Sequence, residues 1–113
     1  MASVYVNNIV INSGSDFSQS FVLEGSDTNS AYDLTGYTAS SQMRKYAGSS
    51  TAINFTAQIF APANLGKISI SLTSTQTSNL KPGRYVYDII IEKEGLKTKV
   101  IEGMVLVREG VTR

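Results

Sequence analysis

The chain has 113 residues, ten basic and nine acidic, for a formal charge of +1, and it contains neither cysteine nor histidine. A single domain of this length buries roughly two thirds of its unfolded surface and needs no covalent staple. The missing residue types exclude disulfides, thiolate or imidazole zinc sites, cysteine nucleophiles and Ser-His dyads, while the scattered charge offers no footprint for nucleic acid or an anionic membrane.

Met1-Ala2-Ser3-Val4-Tyr5 lacks the basic and apolar regions of a secretory signal, and no apolar run is long enough to span a bilayer. Synthesis in the cytoplasm without a signal peptide is the expectation, with no nucleic-acid and no membrane partner. Short alternating segments separated by Gly, Pro, Asn and Ser predict an all-β domain of seven strands spanning residues 1–113. The first strand covers about Val4–Ile11 and ends at Asn12-Ser13-Gly14-Ser15. The second, about Asp16–Glu24, sets Phe17, Phe21 and Leu23 on one face. A polar loop, Gly25–Ser30, leads to Asp33-Leu34-Thr35-Gly36.

The third strand, about Tyr37–Tyr46, groups Tyr37, Ala39, Ser41 and Met43, and the fourth, about Ala52–Phe60, alternates Ile53, Phe55, Ala57 and Ile59. In the fifth, about Gly66–Leu72, Ile68, Ile70 and Leu72 face in, against Lys67, Ser69 and Ser71. Thr73–Asn79 is too polar for a strand and suits one helical turn capped by Thr73 or Ser74. Pro82-Gly83 then marks a corner. The sixth strand that follows, to about Lys93, places Tyr85, Tyr87, Ile89 and Ile91 on one face. A tyrosine just after such a corner resembles the tyrosine corner of immunoglobulin-like sandwiches. Glu94-Gly95 turns the chain into the last strand, about Lys97–Arg108. Seven strands at this spacing, with a helical turn before the sixth, are the pattern of an immunoglobulin-like β-sandwich.

Few residues suggest chemistry. Asp27, Asn29 and Asp33 could begin a calcium loop, but turn residues bonding their own backbone account for them as well. Arg44 and Asp88 both face away from the core, and on neighbouring strands they would form a cross-strand ion pair that fixes register; the functional alternative is a carboxylate- or sugar-binding pair. Glu92, Glu94, Glu102 and Glu109 could supply a glycosidase acid and base, yet they sit at strand ends and on polar faces. Tyr5, Tyr32 and Tyr46 could stack on sugar rings or simply decorate edges. None of Gly25, Gly36, Gly48 and Gly66 belongs to a phosphate-cradling motif. The last strand is apolar on both faces, so Val86, Ile90, Val100, Met104 and Leu106 are expected to form an outer patch for a partner, unless the chain folds back over it.

Several segments also carry a family resemblance. Asp33-Leu34-Thr35-Gly36-Tyr37-Thr38 leads to Gln42-Met43-Arg44; Gly66-Lys67-Ile68-Ser69-Ile70-Ser71-Leu72 continues into Thr73-Ser74-Thr75-Gln76-Thr77; Leu80-Lys81-Pro82-Gly83-Arg84-Tyr85-Val86-Tyr87-Asp88 follows; and Glu102-Gly103-Met104-Val105-Leu106-Val107 closes toward Val111-Thr112-Arg113. From about Phe17 to Arg113 this set resembles small domains of tailed bacteriophage and prophage particles. The resemblance implies an immunoglobulin-like β-sandwich in the virion, alone or as the N-terminal module of tail, baseplate or fibre proteins, serving as adaptor or decoration at capsid, neck or tail. It implies no catalytic residue, cofactor or metal. Its partners would be other virion structural proteins, with the chain itself a homo-oligomer or present in symmetric multiple copies. Arg44, Tyr85, Tyr87 and Asp88 would then be structural. A carbohydrate-binding or receptor-adhesion module is the alternative function.

Overall fold

The computed structural model describes residues 5–23 and 32–111. Its strands are β1 (Tyr5–Val6), β2 (Ile9–Asn12), β3 (Phe17–Val22), β4 (Thr38–Arg44), β5 (Ile53–Ile59), β6 (Lys67–Leu72), β7 (Gly83–Lys93) and β8 (Leu96–Arg108). A short 3-10 turn at Ala63–Leu65 and a five-residue helix α1 (Ser74–Ser78) are the helical elements among the described residues. The all-β expectation is what the structure shows.

Hydrogen-bonded neighbours run β1-β8-β7-β4-β5-β6-β3, and β2 also pairs with β8. β1 and β2 lie parallel to β8; the other ladders are antiparallel. β5 serves both halves of this path. Ile53, Asn54 and Phe55 pair with β4, whereas Thr56–Ile59 pair with β6. One strand dividing itself between two neighbours lets the sheet curl until its halves face each other. Across the interior the Phe17 ring lies 6.0 Å from that of Phe55, which lies 6.2 Å from that of Tyr87.

The interior is closed by alternation. Tyr85, Tyr87, Ile89 and Ile91 are all buried, as are Ile68, Ile70 and Leu72 opposite them, and one apolar cluster joins them with Ile9, Ile11, Val105 and Val107. Burying a large aliphatic side chain contributes roughly 1.5–3 kcal/mol, so this cluster dominates the stability. The Tyr85 hydroxyl reaches back four residues to donate to the Lys81 carbonyl at 2.8 Å, fixing the turn before β7.

The connection from β6 to β7 is pinned by polar contacts. Thr73 caps α1: its hydroxyl accepts from Gln76 N while the Gln76 side chain accepts from Thr73 N, the reciprocal capping box. Thr77 is fully buried; its hydroxyl donates to the Ser15 carbonyl and accepts from Gly14 N, tying the helix to the β2–β3 turn. Asp16 adds a bond to Ser74 N at 2.6 Å.

The single first strand expected over Val4–Ile11 is instead two, interrupted at Asn7–Asn8. The cause lies in β8. A Cβ on Gly103 would sit 2.2 Å from the Asn7 carbonyl oxygen, so the main chain of Asn7 occupies the space a side chain would take. Asn7 N donates to Glu102 O, the Asn8 side-chain oxygen accepts from Met104 N, and the Tyr87 hydroxyl donates to Asn7 O. Replacing Gly103 by Ala must displace this segment. We expect a loss of about 1–3 kcal/mol in urea unfolding and faster amide exchange at Asn7. Gly48→Ala, whose methyl would meet nothing nearer than 3.9 Å, should stay within about 0.5 kcal/mol.

Candidate functional site

The outer face of β4, β7 and β8 is the candidate site. Facing out from β7 are Arg84, Val86, Asp88 and Ile90; from β8, Lys99, Glu102, Met104 and Leu106; from β4, Gln42 and Arg44. Register sets Val86 against Met104 and Arg84 against Leu106. Met104 is 44% exposed and Leu106 41%, while Val86 and Ile90 are half-buried. A depression of about 690 Å³ runs over Val6, Arg44, Val86, Ile90, Lys99 and Met104. A second, of about 360 Å³, shares Met104 and continues over Val10, Arg84 and Leu106.

Contrary to the expectation that it faces outward, Val100 is buried and does not belong to the patch. The β7–β8 register slips between Ile89, opposite Ile101, and Ile90, opposite Lys99. Val100 is therefore an extra residue, a β-bulge, and both Val100 and Ile101 turn into the core at 0% and 1% exposure. Val6 (72% exposed) and Val10 (50%) take the place of Val100 at the rim. Their presence there follows from the parallel pairing of β1 and β2 with β8, a long-range contact.

The bulge also organises the charges. Residues three apart on a regular strand point to opposite faces. With Val100 inserted, Lys99 and Glu102 face out together. Asp88 lies directly across from Glu102, a like-charge pairing that is unfavourable on its own. The Lys99 ammonium stands between them, 3.6 Å from Asp88 and 3.3 Å from Glu102. The hydrogen bond to Glu102, and then attraction to both carboxylates, holds its pKa above the ordinary lysine value.

The Arg44–Asp88 ion pair does not form. β4 and β7 are neighbours, but the register puts Gln42 opposite Asp88 and Arg44 opposite Val86. Arg44 donates to the Ser49 carbonyl and to the Gln42 side chain, and Lys99 takes the Asp88 carboxylate. Tyr85 and Tyr87 are core residues. Burial pushes the Tyr87 hydroxyl up to about 12.

The other candidates do not converge. Asp33 accepts from both the amide and the hydroxyl of Thr35, a local turn that lowers its pKa, while Asp27 and Asn29 fall outside the described residues. Glu92 lies opposite Lys97 near the β7–β8 turn that contains Glu94, and Glu109 follows β8 at the far end of that hairpin. Tyr32 packs edge-on against Tyr37, 5.9 Å between centroids, whereas Tyr5 is on β1 and Tyr46 follows β4. Among the described residues no helix is long and apolar enough to cross a membrane. What the outer face can do chemically is bury apolar area inside a ring of both charge signs.

No family model matches this chain, and no curated protein matches its sequence. Among solved structures it is similar to InlP of Listeria monocytogenes, at 14% identity and a TM-score of 0.50, covering 90% of this chain and 26% of that one. A family 123 glycoside hydrolase from Clostridium perfringens aligns at 14% identity with a TM-score of 0.48, over 96% of this chain and 24% of that one. This chain thus spans about a quarter of the length of either. At such identity the likeness to InlP is one of fold alone.

Lys99→Gln removes the cation between Asp88 and Glu102; because all three groups are partly exposed, unfolding should show a loss below about 1 kcal/mol that shrinks further at high salt. For Tyr87 the folded-state pKa, about 12, exceeds the ordinary value near 10. Its contribution is therefore complete below pH ~10 and is lost as pH climbs toward 12, on the order of 2 kcal/mol. Urea unfolding across that window should show the decline, and Tyr87→Phe should flatten it.

Proposed function

We propose that this chain is a non-enzymatic docking module of a tailed-phage particle, built as an immunoglobulin-like β-sandwich and attached to neighbouring structural subunits through the outer face of β4, β7 and β8. The sandwich assignment is supported by a strand order in which β5 divides itself between two ladders, and by the Tyr85 hydroxyl bonded back to Lys81. The particle assignment is supported by the set of segments running from Asp33-Leu34-Thr35-Gly36 to Gly103-Met104-Val105-Leu106-Val107.

One observation carries the docking reading: Met104 and Leu106 stand side by side, exposed, beside half-buried Val86 and Ile90 and framed by Arg44, Arg84, Asp88 and Glu102. Apolar centres inside a polar rim are the usual anatomy of protein interfaces. Covering the remaining exposed area of Met104 and Leu106 is worth about 1 kcal/mol each. Such contacts are modest singly, and repeated attachment on a symmetric particle multiplies them.

Both side chains are already solvent-facing, so Met104→Glu combined with Leu106→Glu should leave the fold intact. Tagged chain expressed in its own host should sediment with purified particles, and the double variant should do so about tenfold less or worse. A wild-type chain missing from the particles, or a variant that sediments equally well, defeats the proposal.

A further inference from the structure

β3 ends the strand path, and among the described residues nothing guards its outer edge. Six consecutive residues pair with β6 without a bulge, from Phe17 opposite Leu72 to Val22 opposite Lys67, and no strand pairs with the other side of β3 among the described residues. Proteins normally blunt such edges with charge, proline, bulges or very short strands. The opposite end of the path is blunted in this way, since β1 and β2 have two and four residues and break at Asn7–Asn8. β3 reads Phe-Ser-Gln-Ser-Phe-Val, without a charge, a proline or a glycine. Tyr5 and Val6 of β1 and Ser20 and Val22 of β3 line a gap of about 300 Å³ at the end of β3.

The edge is also complementary to itself. Opposite residues of an antiparallel pair share a face, so two copies of β3 keep their pleats aligned when they cross at Gln19. Phe17 then meets the partner's Phe21, Ser18 meets the partner's Ser20, and Gln19 meets Gln19. Crossing at Ser20 would instead oppose Gln19 to Phe21. The Gln19 amide, half-buried on the inward side, has no hydrogen-bond partner among the described residues, and a second amide across the axis would supply one. Behind the edge the outer surface is free of like-charge conflict. Ser18 aligns with Ser71 and Thr56, Ser20 with Ser69 and Gln58, and Lys67 is the single charge on β3, β5 and β6.

We propose that β3 is a dimerisation edge at which a second copy of this chain adds antiparallel across a twofold axis at Gln19, giving one continuous six-stranded sheet β5-β6-β3-β3-β6-β5. Such an interface is isologous and closes after two copies, with affinity from main-chain hydrogen bonds and register from the alternating side chains. It lies on the other half of the sheet from the docking face and does not depend on that reading.

Light scattering coupled to size exclusion over a wide concentration range tests it, with circular dichroism and urea unfolding as fold controls. Wild type should dimerise. Ser18→Lys with Ser20→Lys opposes lysines twice across the axis and should weaken the dimer about tenfold or more. Ser18→Lys with Ser20→Glu makes each new lysine face a new glutamate of the partner and should restore it. A monomer at all concentrations, an open-ended polymer, or equal behaviour of the two double variants overturns the proposal. A dimer that ignores both pairs yet is lost in the Met104→Glu, Leu106→Glu variant would assign self-association to the docking face instead.

Discussion

One extra residue in β8 decides what this protein shows to its surroundings. Val100 shifts the strand by one position relative to β7, so that the residues before it and those after it keep the same inside and outside despite opposite parity. On the inner side Val100 and Ile101 both enter the core. On the outer side Lys99 and Glu102, which a regular strand would separate, are brought together beside Asp88. Were Val100 paired regularly opposite Ile90, Lys99 would turn to the inner face and Asp88 and Glu102 would confront each other with no cation between them, a repulsion carried within the β7–β8 ladder. The bulge is at once a packing device and an electrostatic one.

The sequence reveals this protein where the controlling physics is local. β7 alternates tyrosine and isoleucine with polar or smaller side chains, and parity alone identifies its buried face. The Thr73–Gln76 capping box lies within four residues, and the corner before Tyr85 is announced by Pro82-Gly83. Legibility ends where register between distant segments takes over. Val100 and Ile101 are both apolar, so the parity change between them leaves no trace in a hydrophobic pattern. The facing directions of Arg44 and Asp88 could be read correctly, but which β4 residue stands opposite Asp88 is set by the whole β4–β7 ladder, and Gln42 takes that place. The break at Asn7–Asn8 had one available signal. A glycine inside a strand, here Gly103, often marks a close approach of another backbone, although which backbone approaches is again a long-range fact.

The two outer surfaces of the curled sheet differ in kind, and the difference follows from composition. On β3, β5 and β6 the outward residues are almost all serine, threonine, asparagine or glutamine, which hydrate well and repel nothing. On β4, β7 and β8 they mix valine, isoleucine, leucine and methionine with both charge signs. A surface of the first kind can approach a copy of itself without electrostatic cost, and its attraction must come from the backbone at the strand edge. The second kind gains from apolar burial and discriminates by charge.

That discrimination is uneven across the outer face. Asp88 and Glu102 are answered internally by Lys99, and Arg44 is held by Ser49 and Gln42. Arg84, set beside Leu106, has no ion-pair partner among the described residues. The charges near the centre of the face therefore act mainly to keep it soluble and in register. Among the described residues, the positive charge of this face without an ion-pair partner, Arg84 and also Arg44, lies toward Met104 and Leu106. If the proposed docking holds, a subunit with an apolar centre and a carboxylate placed to meet Arg84 would satisfy both terms. On the docking proposed above, a basic rim would meet like charge at Arg84, which would set the orientation from that end.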